Sequence, residues 1–139
     1  MKLRWWFFAF AVCVILVMGG CSAYVRLGTT VIGDFVSPDG KHDAILMVRN
    51  GGAATGYGTG VSIVSSNPLA RQMALIRSMN LFVVDDNDGA VRWGDRGQLD
   101  VRISWLSNTQ LRIQYPAKAR VLKQEMSYQS ATVQYAPSL

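Results

Sequence analysis

Polar and apolar residues alternate with a period of two in the last third of the chain. The apolar side of this alternation consists of Leu99, Val101, Ile103 and Trp105 and then, after a break, of Leu111, Ile113 and Tyr115. A period of two is typical of strands that bury one face, so the pattern predicts an antiparallel hairpin with a polar outer face. With residues 106–108 as its loop, Arg102 lies directly opposite Arg112 on that face.

The preceding part of the chain also has the pattern of strands joined by turns. Residues 29–36 and 44–49 flank Ser37-Pro38-Asp39-Gly40, in which proline and glycine favour a tight turn. Further strands are predicted at 57–65 and 81–84, and a last pair at 120–126 and 131–135. Residues 67–77 have helical spacing of apolar residues, although so short a segment fits a loop equally well. Seven or eight strands with short connections predict an all-β domain, either a small antiparallel sandwich or a curled meander.

Residues 50–60 are rich in glycine, and three of the glycines alternate with larger side chains. One face of this predicted strand carries Thr55, Tyr57, Thr59, Val61 and Ile63, whereas the other carries Gly56, Gly58 and Gly60. Close packing or a bulge explains such a bare strand face. The alternative is a smooth surface that an aromatic ring or another backbone can approach. A phosphate-binding loop is not indicated, because the Lys-Ser or Lys-Thr pair and the helix of that motif do not follow.

The first twenty residues have a different pattern. Lys2 and Arg4 precede an uninterrupted apolar run over residues 5–18, and two glycines follow before Cys21. A positive start, an apolar run of this length and small residues before a cleavage point are the signature of a secretory signal. The run is short for a membrane-spanning helix, which needs about 20 apolar residues. The alternative is an uncleaved N-terminal anchor with its two tryptophans at the membrane interface.

Met18-Gly19-Gly20-Cys21 resembles the lipobox of bacterial lipoproteins, with Met where Leu is usual. The resemblance implies that the thiol of Cys21 receives a diacylglycerol, that the chain is cleaved before Cys21, and that the new amino group is acylated. Residues 1–20 are then a signal peptide, residues 21–28 a lipidated cysteine with a short tether, and residues 29–139 a single β domain. The implied location is the cell envelope, and the outer membrane in a Gram-negative host, because Ser22 is not the retention residue Asp.

Composition and charge narrow the function classes. The 139 residues include 14 basic and 9 acidic side chains, for a formal net charge of +5. Without Lys2 and Arg4 the balance is 12 to 9, or +3. The cations are scattered, whereas nucleic-acid binding needs a concentrated basic patch, so no nucleic-acid partner is predicted. Cys13 would leave with the signal peptide, and Cys21 would remain as a single lipidated cysteine, so no disulfide is expected.

Several motifs of the mature chain together resemble a widespread family of small bacterial proteins of unknown function. They are Ser37-Pro38-Asp39-Gly40-Lys41, residues 50–57 leading into Val61-Ser62-Ile63, Arg102-Ile103-Ser104-Trp105-Leu106, and residues 119–125, over about 90 residues in all. The resemblance implies no activity, because none is assigned to the family.

No group of residues predicts catalysis, a metal site or a cofactor. His42 is the only histidine, and we expect an exposed residue at a strand start rather than the base of a triad. One His and a lipidated Cys cannot supply the three or four ligands of a zinc site. The acidic residues 85–89 resemble part of a calcium loop, but Val84 stands where the first ligand belongs. We expect a solvated turn there, with a weak divalent-ion site as the alternative.

These features predict a membrane-anchored envelope lipoprotein whose β domain is a non-enzymatic module that binds another envelope protein. Membrane lipid is its second partner, through acylated Cys21. The candidate binding residues are Arg102, Arg112, Tyr57 and Trp93, since arginine suits carboxylates and phosphates and exposed rings suit apolar or sugar surfaces. The alternatives are a lipid-anchored immunity or exclusion protein, a small-ligand or glycan binder, and a glycoside hydrolase with two carboxylates about 5–9 Å apart.

Overall fold

The computed structural model describes residue 10 and residues 12–14, 28–51, 56–76 and 79–138, without the side chains of residues 74–76. Residues 10 and 12–14 are helical, and the rest of the predicted signal peptide lies outside the described residues, as does Cys21. From Gly28 onward the described chain forms two β-sheets and one helix. This architecture confirms the predicted all-β sandwich.

The two sheets contain nine strands in the described part of the chain, slightly more than expected. The strands of the first sheet are β1 (Thr29–Val36), β2 (His42–Asn50), β3 (Tyr57–Ser65), β4 (Phe82–Asp85) and β7 (Arg120–Gln124), which are neighbours in that order and antiparallel. The strands of the second sheet are β5 (Arg102–Ser107), β6 (Gln110–Pro116), β8 (Ser127–Tyr128) and β9 (Ala131–Ser138), in the spatial order β5-β6-β9-β8. Helix α1 (Pro68–Ile76) connects β3 to β4.

The prediction that the last two long strands pair with each other is wrong. β7 lies beside β4 at the edge of the first sheet, whereas β9 runs parallel to β6 in the second sheet. The chain changes sheet at residues 125–126, and only the two-residue β8 forms a hairpin with β9. Val133 lies beside Leu111 in this register and is buried, an environment that the largely exposed β7 would not provide.

The hydrophobic core lies between the two sheets. The ring of Phe82 lies 5.0 Å from that of Tyr115 and 5.2 Å from that of Tyr135, so the first sheet packs directly on β6 and β9. The indole of Trp105 donates a hydrogen bond of 2.7 Å to the carbonyl oxygen of Phe35. This bond ties β5 to β1 at one side of the sandwich, while the chain passing from β7 to β8 joins the sheets at the other side.

Helix α1 forms a partial third layer on the outer face of the first sheet. The Oδ1 atom of Asn67 accepts a hydrogen bond of 2.8 Å from the backbone N–H of Leu69, and Pro68 takes the first helical position. Beside the helix lies a second apolar cluster, formed by Ile45, Met47, Val64 and Met79 with Ala70 packed against it. The helical alternative for residues 67–77 is therefore confirmed.

The strand directions define two ends of the sandwich. At the Gly28 end β1 begins, with the Asn50 N–H donating a 2.8 Å hydrogen bond to the carbonyl oxygen of Gly28. The loop 86–101 and the turn 117–119 also lie at this end. At the opposite, Asp39 end lie the β1–β2 turn, helix α1 and the β5–β6 turn. The predicted β1–β2 turn is confirmed, with Gly40 at a φ of 71°.

Candidate binding surfaces

Two of the four candidate binding residues lie together at the Gly28 end. The rings of Tyr57, at the start of β3, and Trp93, in the loop 86–101, have centroids 6.0 Å apart and are tilted by 60°. The Nε1–H of Trp93 donates a 3.0 Å hydrogen bond to Oδ2 of Asp86, which orients the indole. Tyr57 is half exposed. The pair therefore presents an aromatic surface to solvent.

The glycine face of β3 has two environments. A Cβ atom on Gly60 would collide with the sulfur of Met79 and lie 2.6 Å from the carbonyl oxygen of Phe82, so this position has no space for a side chain. A Cβ atom on Gly58 would meet Val83 Cγ1 at 3.6 Å, an ordinary contact. Close packing thus accounts for Gly60, whereas Gly58 is the floor of a depression that is open to solvent.

We call this depression the glycine groove. It encloses about 390 Å³, and its apolar floor includes Gly58, Val83 and Leu122. Met79 lies toward the Asp39 end and Tyr57 toward the Gly28 end of the groove. Arg49 of β2 and Lys123 of β7 also line it, from strands on opposite sides of β3 and β4.

The groove is positively charged. The Nε–H of Arg49 donates a 3.2 Å hydrogen bond to Thr29 Oγ1, and burial lowers the pKa of this guanidinium from its ordinary value. Lys123 Nζ donates to the carbonyl oxygen of Met79 at 3.4 Å and lies 3.9 Å from a carboxylate oxygen of Glu125. An apolar floor between two cations suits a ligand that carries an apolar group next to a carboxylate or phosphate.

Arg120 organises the acidic loop. Its guanidinium binds both carboxylate oxygens of Asp85, with Nη2–Oδ2 at 2.6 Å and Nε–Oδ1 at 3.1 Å, and Nη1 lies 3.2 Å from Asp88 Oδ2. Asn87 and Asp88 have left-handed φ values of 51° and 56°, which confirms the turn. Asp85 is buried as the last residue of β4, whereas Asn87, Asp88 and Gly89 are exposed, so the turn itself is solvated as expected.

The charges of this loop perturb each other. Burial would raise the pKa of Asp85, but hydrogen bonds from Arg120 and from the Asn87 N–H outweigh it and hold the pKa below the ordinary 3.8. The same hydrogen bonding with Asp85 raises the pKa of Arg120. The described residues contain no group of three or more His, Cys, Asp or Glu side chains placed to hold a metal ion.

The predicted pairing of Arg102 with Arg112 is wrong. The β5–β6 turn is shorter than expected, with Ser107 opposite Gln110, and Leu106 is the extra residue of a bulge. Arg112 consequently lies opposite Ser104, and Arg102 opposite Gln114. Both arginines are still exposed on the outer face of the second sheet, because the shift of two residues preserves the strand faces.

Arg102 already has an anionic partner within the chain. Its Nε and Nη2 atoms lie 3.1 and 3.0 Å from the two carboxylate oxygens of Asp100, and this hydrogen bonding raises the pKa of the guanidinium. Arg112 forms no ion pair within the described part of the chain. The two arginines lie on the outer face of the second sheet, whereas Tyr57 belongs to the first sheet and contacts Trp93 of the loop 86–101.

His42 differs from the expected exposed residue, since it is half-buried where β2 begins. Its Nε2 lies 3.2 Å from Ser130 Oγ in the turn between β8 and β9. Its Nδ1 is buried and has no hydrogen-bond partner among the described residues. No carboxylate among the described residues therefore bonds to Nδ1, where a catalytic triad would place one.

Sequence reasoning missed the two groove cations and several buried polar groups. Arg49 and Lys123 are separated by 74 residues and meet only because β2 and β7 belong to one sheet. The amide of Asn80 hydrogen-bonds both the N–H and the carbonyl oxygen of Ile63, at 2.9 and 2.8 Å, in place of a neighbouring strand. Buried Asp43 lies 3.4 Å from Arg71 Nε on helix α1. No local pattern in the sequence predicts these contacts.

Comparisons of the chain with family models, with curated proteins and with solved structures find no match. The family resemblance drawn from the motifs and the lipobox resemblance therefore stay predictions. Among the residues that the structure describes, no helix has the length and hydropathy needed to cross a membrane.

Proposed function

We propose that the protein is an envelope lipoprotein, anchored through acylated Cys21, whose sandwich binds another envelope protein through the glycine groove. The observation that carries the binding role is the groove itself, with its apolar floor and two cations. Depressions of about 300–1,000 Å³ with an apolar lining and a few placed polar groups are typical binding sites.

The groove favours side-chain recognition over strand addition. β7 is an edge strand of the first sheet, but the register to β4 shifts near Leu122, which leaves this residue unpaired and 58% exposed. A bulge of this kind bends an edge and hinders the pairing of another strand. The partner segment that fits places an apolar side chain over Gly58 and a carboxylate near Arg49 or Lys123.

The anchor is tested by replacing the cysteine. We expect Cys21→Ala to remain an unprocessed precursor or to leave the membrane fraction, because the thiol is the group that accepts the lipid. Mass spectrometry of the wild-type protein purified from membranes should show an acylated N-terminal Cys21. A Cys21→Ala protein that is cleaved and membrane-bound like wild type would refute the anchor.

The groove is tested by photo-crosslinking in cells. A photoreactive amino acid at Leu122 of the full chain should give a discrete adduct with one envelope protein. The same amino acid at Gln134, exposed on the outer face of the second sheet, is the control and should not give that adduct. Gly58→Leu fills the groove and should abolish the adduct, whereas Gly58→Ala should retain most of it. Identical adducts from both positions would contradict a role for the groove.

A small-ligand or glycan binder is the second candidate, and the contact between Tyr57 and Trp93 favours it. Aromatic faces are common platforms for the apolar faces of rings. Titration of the purified protein with cell-wall glycan fragments should then change tryptophan fluorescence, and Tyr57→Ala should weaken the change. Saturable binding of this kind, without any crosslinked protein, would favour the second candidate over the first.

A further inference from the structure

We infer that the Gly28 end rests on the membrane and binds anionic phospholipid in a second depression, between Arg92 and Lys118. This lipid groove encloses about 350 Å³ and is lined by Ala90, Val91, Arg92, Pro116, Ala117, Lys118 and Ser138. It is distinct from the glycine groove, which lies on the outer face of the first sheet. The inference rests on the proposed anchoring at Cys21 and names a second contact with the same membrane.

The length of the tether determines which end can reach the bilayer. Seven residue steps separate Cys21 from Gly28. At about 3.6 Å per residue, a fully extended chain spans about 25 Å at most. The nine-residue strand β2 runs from the Asp39 end to the Gly28 end and is itself about 30 Å long. With Cys21 at the bilayer surface, the Asp39 end therefore cannot point into that surface, whereas the Gly28 end can rest on it.

The chemistry of the lipid groove matches a phospholipid. Alanine, valine and proline side chains form an apolar floor that suits the upper part of an acyl chain. Arg92 and Lys118 lie at this floor, and neither forms an ion pair within the described ranges. Two such cations attract a phosphate, and basic residues near an anionic leaflet strengthen membrane binding.

The acidic residues of this end do not cancel those cations. Asp85 and Asp88 are bound by Arg120, and Asp100 is bound by Arg102. Asp86 accepts the hydrogen bond from Trp93. These four carboxylates are thus engaged with their own partners. Asp95 of the loop 86–101 forms no ion pair within the described residues, and the cation Arg96 is its neighbour in the chain. Arg92 and Lys118 remain for an external anion.

The aromatic pair lies at the same end of the molecule. Tyr57 is half exposed and contacts Trp93. Tyrosine and tryptophan are enriched at the boundary between lipid and water, where an apolar ring with a polar edge is most stable. The tether length, the two cations and the aromatic pair therefore all favour an orientation with the Gly28 end on the membrane. The occupant of the lipid groove is the anionic phospholipid of the membrane in which Cys21 is anchored.

The test uses full-length lipidated protein, purified from membranes and reconstituted into vesicles of phosphatidylcholine with or without 30% phosphatidylglycerol, a composition of the order that gives an anionic surface. An environment-sensitive fluorophore is attached at Ala90→Cys in the lipid groove or, as a control, at Asn108→Cys at the Asp39 end. We expect a blue shift and strong quenching by lipid-borne quenchers at position 90 in anionic vesicles, and neither effect at position 108.

A charge comparison sharpens the test. Arg92→Gln with Lys118→Gln should weaken the contact at position 90 by about 25-fold, since each cation near an anionic surface contributes about fivefold. Lys41→Gln with Arg112→Gln removes the same charge elsewhere and should leave the contact unchanged. Vesicle-bound protein with equal quenching at positions 90 and 108, or with the same quenching at position 90 in vesicles with and without phosphatidylglycerol, would overturn the inference. Protein that lacks acyl groups and does not float with vesicles would instead refute the proposed anchor.

Discussion

The outer faces of the two sheets differ in a way that explains where this protein has depressions. The first sheet carries glycines at Gly58 and Gly60 on its outer face, and helix α1 and Met79 cover part of it. The second sheet has a full set of exposed polar side chains on its outer face, and no described element covers it; they are Arg102, Ser104, Gln110, Arg112, Gln114, Thr132 and Gln134.

The comparison shows that a strand position without a side chain determines how neighbouring residues pack on that face. At Gly60 the missing Cβ lets Met79 pack on the strand backbone, and at Gly58 it leaves a groove. On the second sheet, regular alternation of apolar and polar residues is sufficient to predict both a buried and a solvent face. Substitutions on the two outer faces should therefore change the free energy of unfolding by very different amounts.

The largest effect is expected at Gly60. Gly60→Ala should destabilise the protein by about 3 kcal/mol, because the new methyl group must displace both Met79 and the backbone of β4. Urea unfolding followed by circular dichroism measures the change in the free energy of unfolding.

Gly58→Ala is the matched control, two residues away on the same strand face. We expect it to change the free energy of unfolding by less than about 1 kcal/mol, since its Cβ makes only ordinary contacts. Equal losses for the two variants would show that glycine is needed along β3 for backbone reasons and would remove the distinction between a covered and an open position.

An intermediate effect is expected at Arg120, where the first sheet meets the acidic loop. Arg120→Ala should lower the free energy of unfolding at pH 7 by less than Gly60→Ala and by more than Arg112→Gln, because buried Asp85 loses the partner of both its oxygens while Arg120 itself is half exposed. The pKa of Asp85 lies below 3.8 in the folded state, so its contribution to stability is present above that pH and is lost as the pH falls further.

The pH dependence distinguishes this ion pair from a packing effect. The difference in stability between wild type and Arg120→Ala should shrink as the pH is lowered from 5 toward 2, as measured by urea unfolding at each pH. Arg120→Lys keeps the positive charge but cannot bind both carboxylate oxygens of Asp85 in the same way. Its free energy of unfolding should therefore lie between those of wild type and Arg120→Ala. A difference that stays constant with pH would mean that Arg120 acts through its aliphatic part.

The smallest effect is expected on the second sheet. Arg112→Gln should change the free energy of unfolding by less than about 0.5 kcal/mol, because Arg112 is exposed and lies opposite Ser104 instead of another cation. A clear stabilisation by Arg112→Gln that disappears in high salt would indicate that repulsion between two cations had been relieved. That result would instead support the register in which Arg112 faces Arg102. A thermal unfolding curve at low and high salt decides between these outcomes.

Prediction succeeded for features that depend on residues close together in the chain. The alternation from Leu99 to Tyr115 identified β5 and β6 and their buried faces, and Pro38 with Gly40 identified the first turn. Prediction failed for the register of β5 against β6, which one extra residue determines. A bulge at Leu106 changes the register by two residues without moving any side chain to the other face, so the hydrophobic pattern is the same for both registers.

The candidate sites were predictable only in part. Tyr57 and Trp93 were both proposed for binding, but no signal indicated that their rings meet, because 36 residues and a change of direction separate them. Arg49, Lys123 and Lys118 were not singled out at all. Isolated cations on predicted strands and turns are ordinary surface residues until the fold places them beside an apolar depression.

The sequence alone determined the strands, their buried faces and the all-β class, since period-two burial and turn chemistry are local properties of the chain. It also supplies the prediction of an anchor at Cys21. The tertiary structure decided which strands are neighbours, which glycine is covered and which cations meet. Those outcomes depend on burying apolar surface between segments far apart in the chain, as when β9 pairs with β6 to place Val133 beside Leu111 instead of remaining with β7.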